Sequence, residues 1–222
     1  MSWESTAIYY RLLNRMARER LGGQHSAALV IWSVDFAPVA AMQAAGDWAG
    51  LTAMMIDAAR RLEAVGAAAI LIGANTMHLM AADVAAAIDV PLIHVADVTA
   101  AAICGSGLTR PLLLATRYTM EARFYRDRLE AGGLAPVIPP APARERLHAI
   151  IYDELVQGRF EAASRGELIE ITRRAQTEEG IDCVILGCTE FGLLVDAADL
   201  PVSSFETTEL HARAAMDFAL AD

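Results

Sequence analysis

The chain has 222 residues, of which 55% are hydrophobic, and this is enough apolar material for one large core or two smaller ones. The formal net charge of −10 argues against nucleic acid as a partner, because phosphate binding requires clustered cations. All 18 basic residues are arginine, so a pyridoxal-phosphate enzyme, which needs a lysine amine for its Schiff base, is excluded within this chain.

The sequence shows no membrane or export signal. No stretch approaches about 18 uninterrupted strongly apolar residues, and no basic segment precedes an apolar run near the N-terminus. Cys104, Cys183 and Cys188 form no regular disulfide framework. We therefore expect a reducing, cytoplasmic setting and no membrane partner.

Helical and strand patterns alternate along the chain. In chain order they predict a helix at 5–21, a strand at 27–34, a helix at 47–66, a strand at 67–73, a helix at 77–88, a strand at 90–95, a helix at 97–107, a strand at 110–116, a helix at 119–133, a strand at 135–139, two helices within 144–179, strands at 181–187 and 200–205, and a helix at 206–220. This alternation predicts an α/β fold built from doubly wound parallel sheets.

Two of the predicted strands end in the same pattern. Residues 70–76 read ILIGANT and align without a gap with VILGCTE at 184–190. Turns between a strand and a helix often need a small residue and an N-cap, so the match has an ordinary explanation. The alternative is two similar domains related by a pseudo-two-fold axis, with both strand ends flanking one cleft, because ligands in open α/β sheets bind at the carboxyl ends of strands.

Cys188 directly follows the second of these strands, at the position where the first has Ala74. At the start of a helix, free backbone N–H groups would lower the pKa of a thiol, which makes Cys188 a candidate base or nucleophile. Cys183 lies inside the predicted strand and Cys104 on an apolar helix face. For these two we expect buried, structural cysteines.

The polar residues beside the two strand ends have two interpretations. Asn75, Thr76, Thr189 and Glu190 could cap helices. Alternatively they bind substrate, with Thr189 donating to a carboxylate and Glu190 orienting a polar group.

A third junction between a strand and a helix contains Thr116, Arg117 and Thr119. These residues could bind a carboxylate through hydroxyls, N–H groups and one cation, or form an N-cap beside a solvated basic face. The five histidines show no metal-ligand spacing, so we predict no metal site; they are His25, His78, His94, His148 and His211.

Five motifs occur in order over essentially the whole chain: MSWESTAIYYRLLN, SVDF, ANTMH, TRYTMEARFYRDRL and GCTEFGLL. Together they resemble the cofactor-independent aspartate/glutamate racemase family, most closely its bacterial aspartate/glutamate racemase branch. The resemblance implies two α/β domains, 1–97 joined by the C-terminal helix 205–222 and 98–204, with the active site in the cleft between them. It also implies no cofactor and a homodimer. Family members open with a strand and a Gly-Gly turn before the first motif, so the first strand of the N-terminal domain is expected to be missing here.

In that family two thiols flank the substrate, one removing the Cα proton and the other returning a proton to the opposite face. The resemblance implies Cys188 as one of these acid/bases, while the second catalytic position falls on Ala74, which has no proton to give. The substrate-binding residues that it implies are Asn75, Thr76, Thr116, Thr189, Gln43 and Glu190.

We therefore expect an enzyme that abstracts and returns the Cα proton of aspartate, glutamate or a close analogue, with Cys188 as the one remaining thiol. General acid–base catalysis contributes roughly 10²–10⁴-fold, so Ala74 should impair or alter two-base racemisation. Two alternatives stay open. One is a single-cysteine decarboxylase or isomerase of a small carboxylic acid, and the other is a non-catalytic carboxylate-binding protein.

Overall fold

The computed structural model describes residues 1–221 and confirms an α/β fold with parallel strands. The strands are β1 (Ile70–Leu71), β2 (Leu92–Ile93), β3 (Pro111–Leu114), β4 (Cys183–Leu186) and β5 (Ser203–Glu206). The α-helices are α1 (Trp3–Leu21), α2 (Phe36–Ala45), α3 (Trp48–Ala64), α4 (Ala81–Ala85), α5 (Val95–Gly105), α6 (Arg117–Glu121), α7 (Arg123–Ala131), α8 (Ala141–Ala149), α9 (Ala162–Glu179), α10 (Phe191–Leu194) and α11 (Thr207–Ala219). None of the helices that the structure describes has the length and apolar character of a membrane span.

The chain divides into two compact units. The first contains Met1–His94 together with the chain from His211 onward, and the second contains Val95–Leu210. Each unit has its own parallel sheet, β1-β2 in the first and β3-β4-β5 in the second.

In the sheet of the second unit, strands β3 and β4 are buried along their whole length. All four residues of each strand are buried, as continuous apolar runs of parallel sheets usually are. Asp182 fixes the start of the pair, because its carboxylate accepts hydrogen bonds from the backbone N–H groups of Thr109 at 2.8 Å and Arg110 at 2.9 Å. Helices α5, α7 and α8 contribute to the same core through Ile103, Leu129 and other apolar side chains.

The sheet of the first unit is much shorter. Strand β1 pairs with β2 over two residues, Ile70 with Leu92 and Leu71 with Ile93. Its core is formed mainly by α3, the 3-10 helix Thr76–Met80 and α4, with Leu51 and Met77 completely buried. A further small cluster joins α1 to the last part of α11.

The strand predicted at 27–34 is wrong. The structure shows no regular secondary structure there, and Val30, Ile31 and Trp32 are exposed by 55%, 45% and 48%. A strand requires a neighbour that satisfies its backbone N–H and C=O groups. Among the described residues β1 pairs with β2 alone, and an apolar groove lined in part by Trp32 and Ile70 runs beside it.

Several other elements differ from the prediction in extent. The segment 36–45 forms α2, which begins where the Asp35 carboxylate accepts a hydrogen bond from Ala37 N–H at 3.1 Å. The helix predicted at 119–133 is divided into α6 and α7 by extended backbone at Ala122. The strand predicted at 135–139 is reduced to one parallel bridge between Leu112 and Val137.

Candidate active site

The ends of β3 and β4 lie at the same edge of the sheet in the second unit. The register pairs Leu114 with Leu186, and Gly187 N–H donates to the Leu114 carbonyl at 2.7 Å. A Cβ at Gly187 would lie 2.9 Å from that carbonyl oxygen, so the close approach requires glycine. Two residues after each paired position come Thr116 and Cys188, which therefore follow neighbouring strands at one edge.

Cys188, Thr189 and Glu190 form a hydrogen-bonded group directly after β4. The Cys188 thiol donates to Glu190 Oε2 at 3.1 Å, and the Thr189 hydroxyl donates to the same oxygen. Cys188 is 9% exposed and Glu190 only 3%, so the thiol and its carboxylate partner are shielded from water.

The pKa of the Cys188 thiol is raised well above its ordinary value, first by burial and then by the negative charge and hydrogen bond of Glu190. The sequence predicts the opposite direction, on the assumption that Cys188 begins a helix. In the structure α10 begins at Phe191 and is four residues long. Cys188 is therefore a neutral thiol at pH 7, ready to donate a proton, with a carboxylate positioned to accept one.

The third junction is organised by a helix cap. Thr116 Oγ1 accepts a hydrogen bond from Thr119 N–H at 3.3 Å at the start of α6, and the two hydroxyls lie 3.1 Å apart. This geometry agrees with the N-cap interpretation. Arg117 is exposed, and its guanidinium lies 5.7 Å from the centre of the Tyr118 ring.

An aromatic group beside this junction has no counterpart in the sequence-based predictions. The rings of Tyr118 and His148 lie 5.2 Å apart, and those of His148 and Tyr152 lie 4.5 Å apart. Burial and the charge of Arg117 lower the pKa of His148. The spacing of four residues between His148 and Tyr152 is the one sequence signal that could have paired them.

The strand end of the first unit lacks a thiol and is fixed by a histidine. After β1, the Ala74 carbonyl lies 2.9 Å from His78 Nδ1, which donates to it. Asn75 and Thr76 are both 7% exposed. Gln43, on α2, donates to the Met77 sulfur at 3.4 Å and so lies beside the same turn.

His78 belongs to a buried group of aromatic side chains. Its ring lies 4.5 Å from His94 and 5.7 Å from His211. His211 Nε2 donates to the Ile93 carbonyl at 2.8 Å, and Tyr9 donates to His211 Nδ1 at 2.8 Å. Burial lowers the pKa of His78 and lowers that of His211 to about 4, so both rings are neutral at pH 7. In the part of the chain that the structure describes, no group of three or more His, Cys, Asp or Glu residues is suited to a metal ion.

The other two cysteines behave differently from each other. Cys183 is buried within β4, as predicted, and burial followed by Asp182 raises its pKa. The prediction for Cys104 is wrong, because it is exposed in the last turn of α5 and donates to the Gly132 carbonyl at 3.2 Å.

Comparison with known proteins gives consistent matches. The model of the Asp/Glu/hydantoin racemase family matches residues 1–215. A crystal structure from Yersinia pestis, assigned as an Asp/Glu racemase, has a TM-score of 0.91 and 43% identity and covers 99% of this chain and 96% of that chain. An aspartate racemase homologue from Pyrococcus horikoshii has a TM-score of 0.85 and 34% identity and covers 98% of this chain and 95% of that chain. A glutamate racemase from Francisella tularensis, at 19% identity, shares the fold with a TM-score of 0.60 over 78% of this chain and 65% of its own.

Proposed function

The chain belongs to the Asp/Glu/hydantoin racemase family, and we propose on that premise that it exchanges the Cα proton of aspartate, glutamate or a close analogue. The family and the structural neighbours indicate a racemase-type enzyme that needs no cofactor. The observation that supports the reaction is the buried hydrogen bond of 3.1 Å from the Cys188 thiol to the Glu190 carboxylate.

The two groups together can move one proton in either direction. The thiol proton passes to Glu190 Oε2 and leaves a thiolate, and the thiolate takes the proton from the substrate Cα. The Cα carbanion then receives a proton from the Cys188 thiol. Because the thiol is neutral at rest, proton donation is immediate, whereas abstraction first requires Glu190 to accept the thiol proton.

We further propose that this chemistry serves one face of the substrate. Ala74 occupies the position where the family places its second acid/base, and a methyl group cannot transfer a proton. We propose that the substrate-binding residues are Asn75, Thr76, Gln43, Thr116 and Thr189. Their hydroxyl and amide groups, which belong to buried residues except at the partly exposed Thr189, can hold carboxylate oxygens without a lysine, which the chain does not contain.

Proton NMR in D₂O tests this proposal. The purified protein is incubated with L-aspartate, D-aspartate, L-glutamate and D-glutamate in separate samples, beside Cys188→Ala. We expect the Cα–H signal of one enantiomer to disappear faster than that of the other, and no loss with Cys188→Ala. If well-folded wild type exchanges none of the four, the amino acid proposal is wrong.

Two variants, Glu190→Gln and Glu206→Gln, test the role of Glu190. Glu190→Gln should lower the exchange rate by about 10²–10³-fold, because the thiol loses its proton acceptor. Glu206→Gln is the matched control, since Glu206 is a half-buried carboxylate at the end of the neighbouring strand β5. Its exchange rate should equal that of wild type.

A second candidate function follows from the same neutral thiol. In a single-cysteine decarboxylase or isomerase, loss of carbon dioxide leaves a carbanion that Cys188 protonates on one face, and this reaction needs no second base. Release of carbon dioxide from a malonate analogue would identify it. Thermal stabilisation by a dicarboxylate without exchange or carbon dioxide release would instead indicate a non-catalytic binding protein.

A further inference from the structure

Tyr152 lies in an unusual turn of the chain beside the Cys188 site. Helix α8 continues directly into a π-helix at Ile150–Glu154, which contains Tyr152, and then into the 3-10 helix Leu155–Gln157. Single π-helical turns are rare and often occur at functional sites. The wider turn does not separate Tyr152 from His148, whose ring centres lie 4.5 Å apart.

The Tyr152 side chain belongs to the same core as the Cys188 thiol. The side chain is partly exposed and packs against the buried cluster that includes Cys188. Burial raises the pKa of Tyr152, and Tyr118, Cys188 and Glu190 raise it further by electrostatic repulsion. The phenol therefore remains protonated over the whole physiological range and acts as a hydrogen-bond donor.

His148 supports this ring without adding a charge. Arg117 N–H donates to His148 Nδ1 at 3.4 Å, so a neutral His148 carries its proton on Nε2. The lowered pKa of His148, caused by burial and by Arg117, keeps the ring neutral at pH 7. The ring centre of Tyr118 lies 5.2 Å from that of His148, and the three rings form a wall beside Arg117, which follows Thr116 at the end of β3.

We propose that Tyr152 is a further catalytic residue, whose hydroxyl donates a hydrogen bond to the substrate carboxylate next to the reacting Cα. This inference rests on the proposed function. When the Cα proton leaves, the electron pair spreads onto that carboxylate and its negative charge increases. Glu190 is engaged in the proton transfer with the Cys188 thiol, whereas a neutral phenol held by packing can stabilise this charge without taking part in that transfer. A fixed donor of this kind stabilises the transition state more than the bound substrate.

The test compares Tyr152→Phe with Tyr118→Phe in the wild-type chain background. Tyr152→Phe keeps the ring that contacts His148 and removes the donor alone. We expect kcat for deuterium exchange to fall about a hundredfold while KM changes less than about threefold. Tyr118→Phe, which changes the other tyrosine of the same wall, should keep kcat within about twofold of wild type. The thermal unfolding midpoints of both variants should match that of wild type.

The possible outcomes separate this inference from the proposed function. If wild type exchanges deuterium and Tyr152→Phe exchanges it equally fast, the role of Tyr152 is wrong and the proposed function stands. If Tyr152→Phe loses activity together with a lowered unfolding midpoint, its role is structural and the inference is again wrong. If wild type exchanges nothing, the proposed function fails, and the role assigned to Tyr152 fails with it.

Discussion

Strand β4 pairs over four residues with a neighbour on each side, whereas β1, which has the same local sequence pattern, pairs over two residues with β2 among the described residues. The two turns that follow are aligned residue by residue. Met77 and Phe191 occupy equivalent positions and are both completely buried. The shared pattern therefore places a large apolar side chain in the core at this position of each turn, but it does not determine how much sheet surrounds the turn.

The side chains around the two turns differ more than the backbone does. In the first unit His78 donates to the Ala74 carbonyl. The equivalent position in the second unit is Gly192, where a Cβ would lie 2.5 Å from the Glu206 carboxylate. One turn is thus fixed by a neutral imidazole and the other is adjacent to carboxylates. Only the second can transfer a proton through a thiol.

The largest effect is expected from Ala74→Cys, which gives the turn after β1 the thiol that the turn after β4 already has. We predict that Ala74→Cys raises the rate of racemisation between enantiomers by about 10²–10⁴-fold, because a second acid/base then serves the opposite face. Circular dichroism or chiral chromatography of aspartate and glutamate measures this rate. Ala74→Ser is the control of similar size and should give far less gain. Equal rates for the two variants would contradict the assignment of position 74.

The sequence predicted an element correctly where the apolar run and the residues that flank it indicate the same structure. Strand β4, helices α1 and α3 and the last helix α11 lie within a few residues of their predicted positions. The segment 27–34 has an equally apolar pattern. A strand forms there only if a neighbouring strand is present to pair with it, and the pattern does not show whether one is. Similarly, the direction of the Cys188 pKa shift depends on where the Glu190 carboxylate points, and a spacing of two residues does not reveal this.

The unequal sheets lead to a prediction about stability at aligned positions. Ile185, on β4, is completely buried, and its equivalent Leu71, on β1, is partly exposed. Ile185→Ala should lower the free energy of unfolding by about 2–5 kcal/mol, because it leaves a cavity in a closed core. Leu71→Ala should cost about 1 kcal/mol, because part of its side chain already contacts water. Urea titrations of both variants measure the difference. Equal losses would show that the two sheets are equally well packed.

A pH-dependent prediction concerns the buried histidines of the first unit, whose effect is small near pH 7. The pKa of His211 is about 4 in the folded protein and about 6.5 in an unfolded chain. Between these values the unfolded chain binds a proton that the folded protein does not, so stability falls as the pH falls, by at most about 1.4 kcal/mol per pH unit for this group. His211→Gln keeps a donor for the Ile93 carbonyl and removes the titration. We expect its unfolding free energy to depend less steeply on pH between about 6.5 and about 4.

His25→Gln is the matched control for this last prediction, because His25 is exposed. Its stability should follow the wild-type pH dependence, since this exposed side chain can be replaced while the buried His211 is left unchanged. A wild-type slope in His211→Gln would mean that His78, whose pKa burial also lowers, dominates the acid sensitivity of the first unit. The second unit depends on the opposite kind of group. Its free energy of unfolding should fall as the pH rises above the pKa of an unfolded cysteine, because the buried Cys188 thiol beside Glu190 stays protonated in the folded protein.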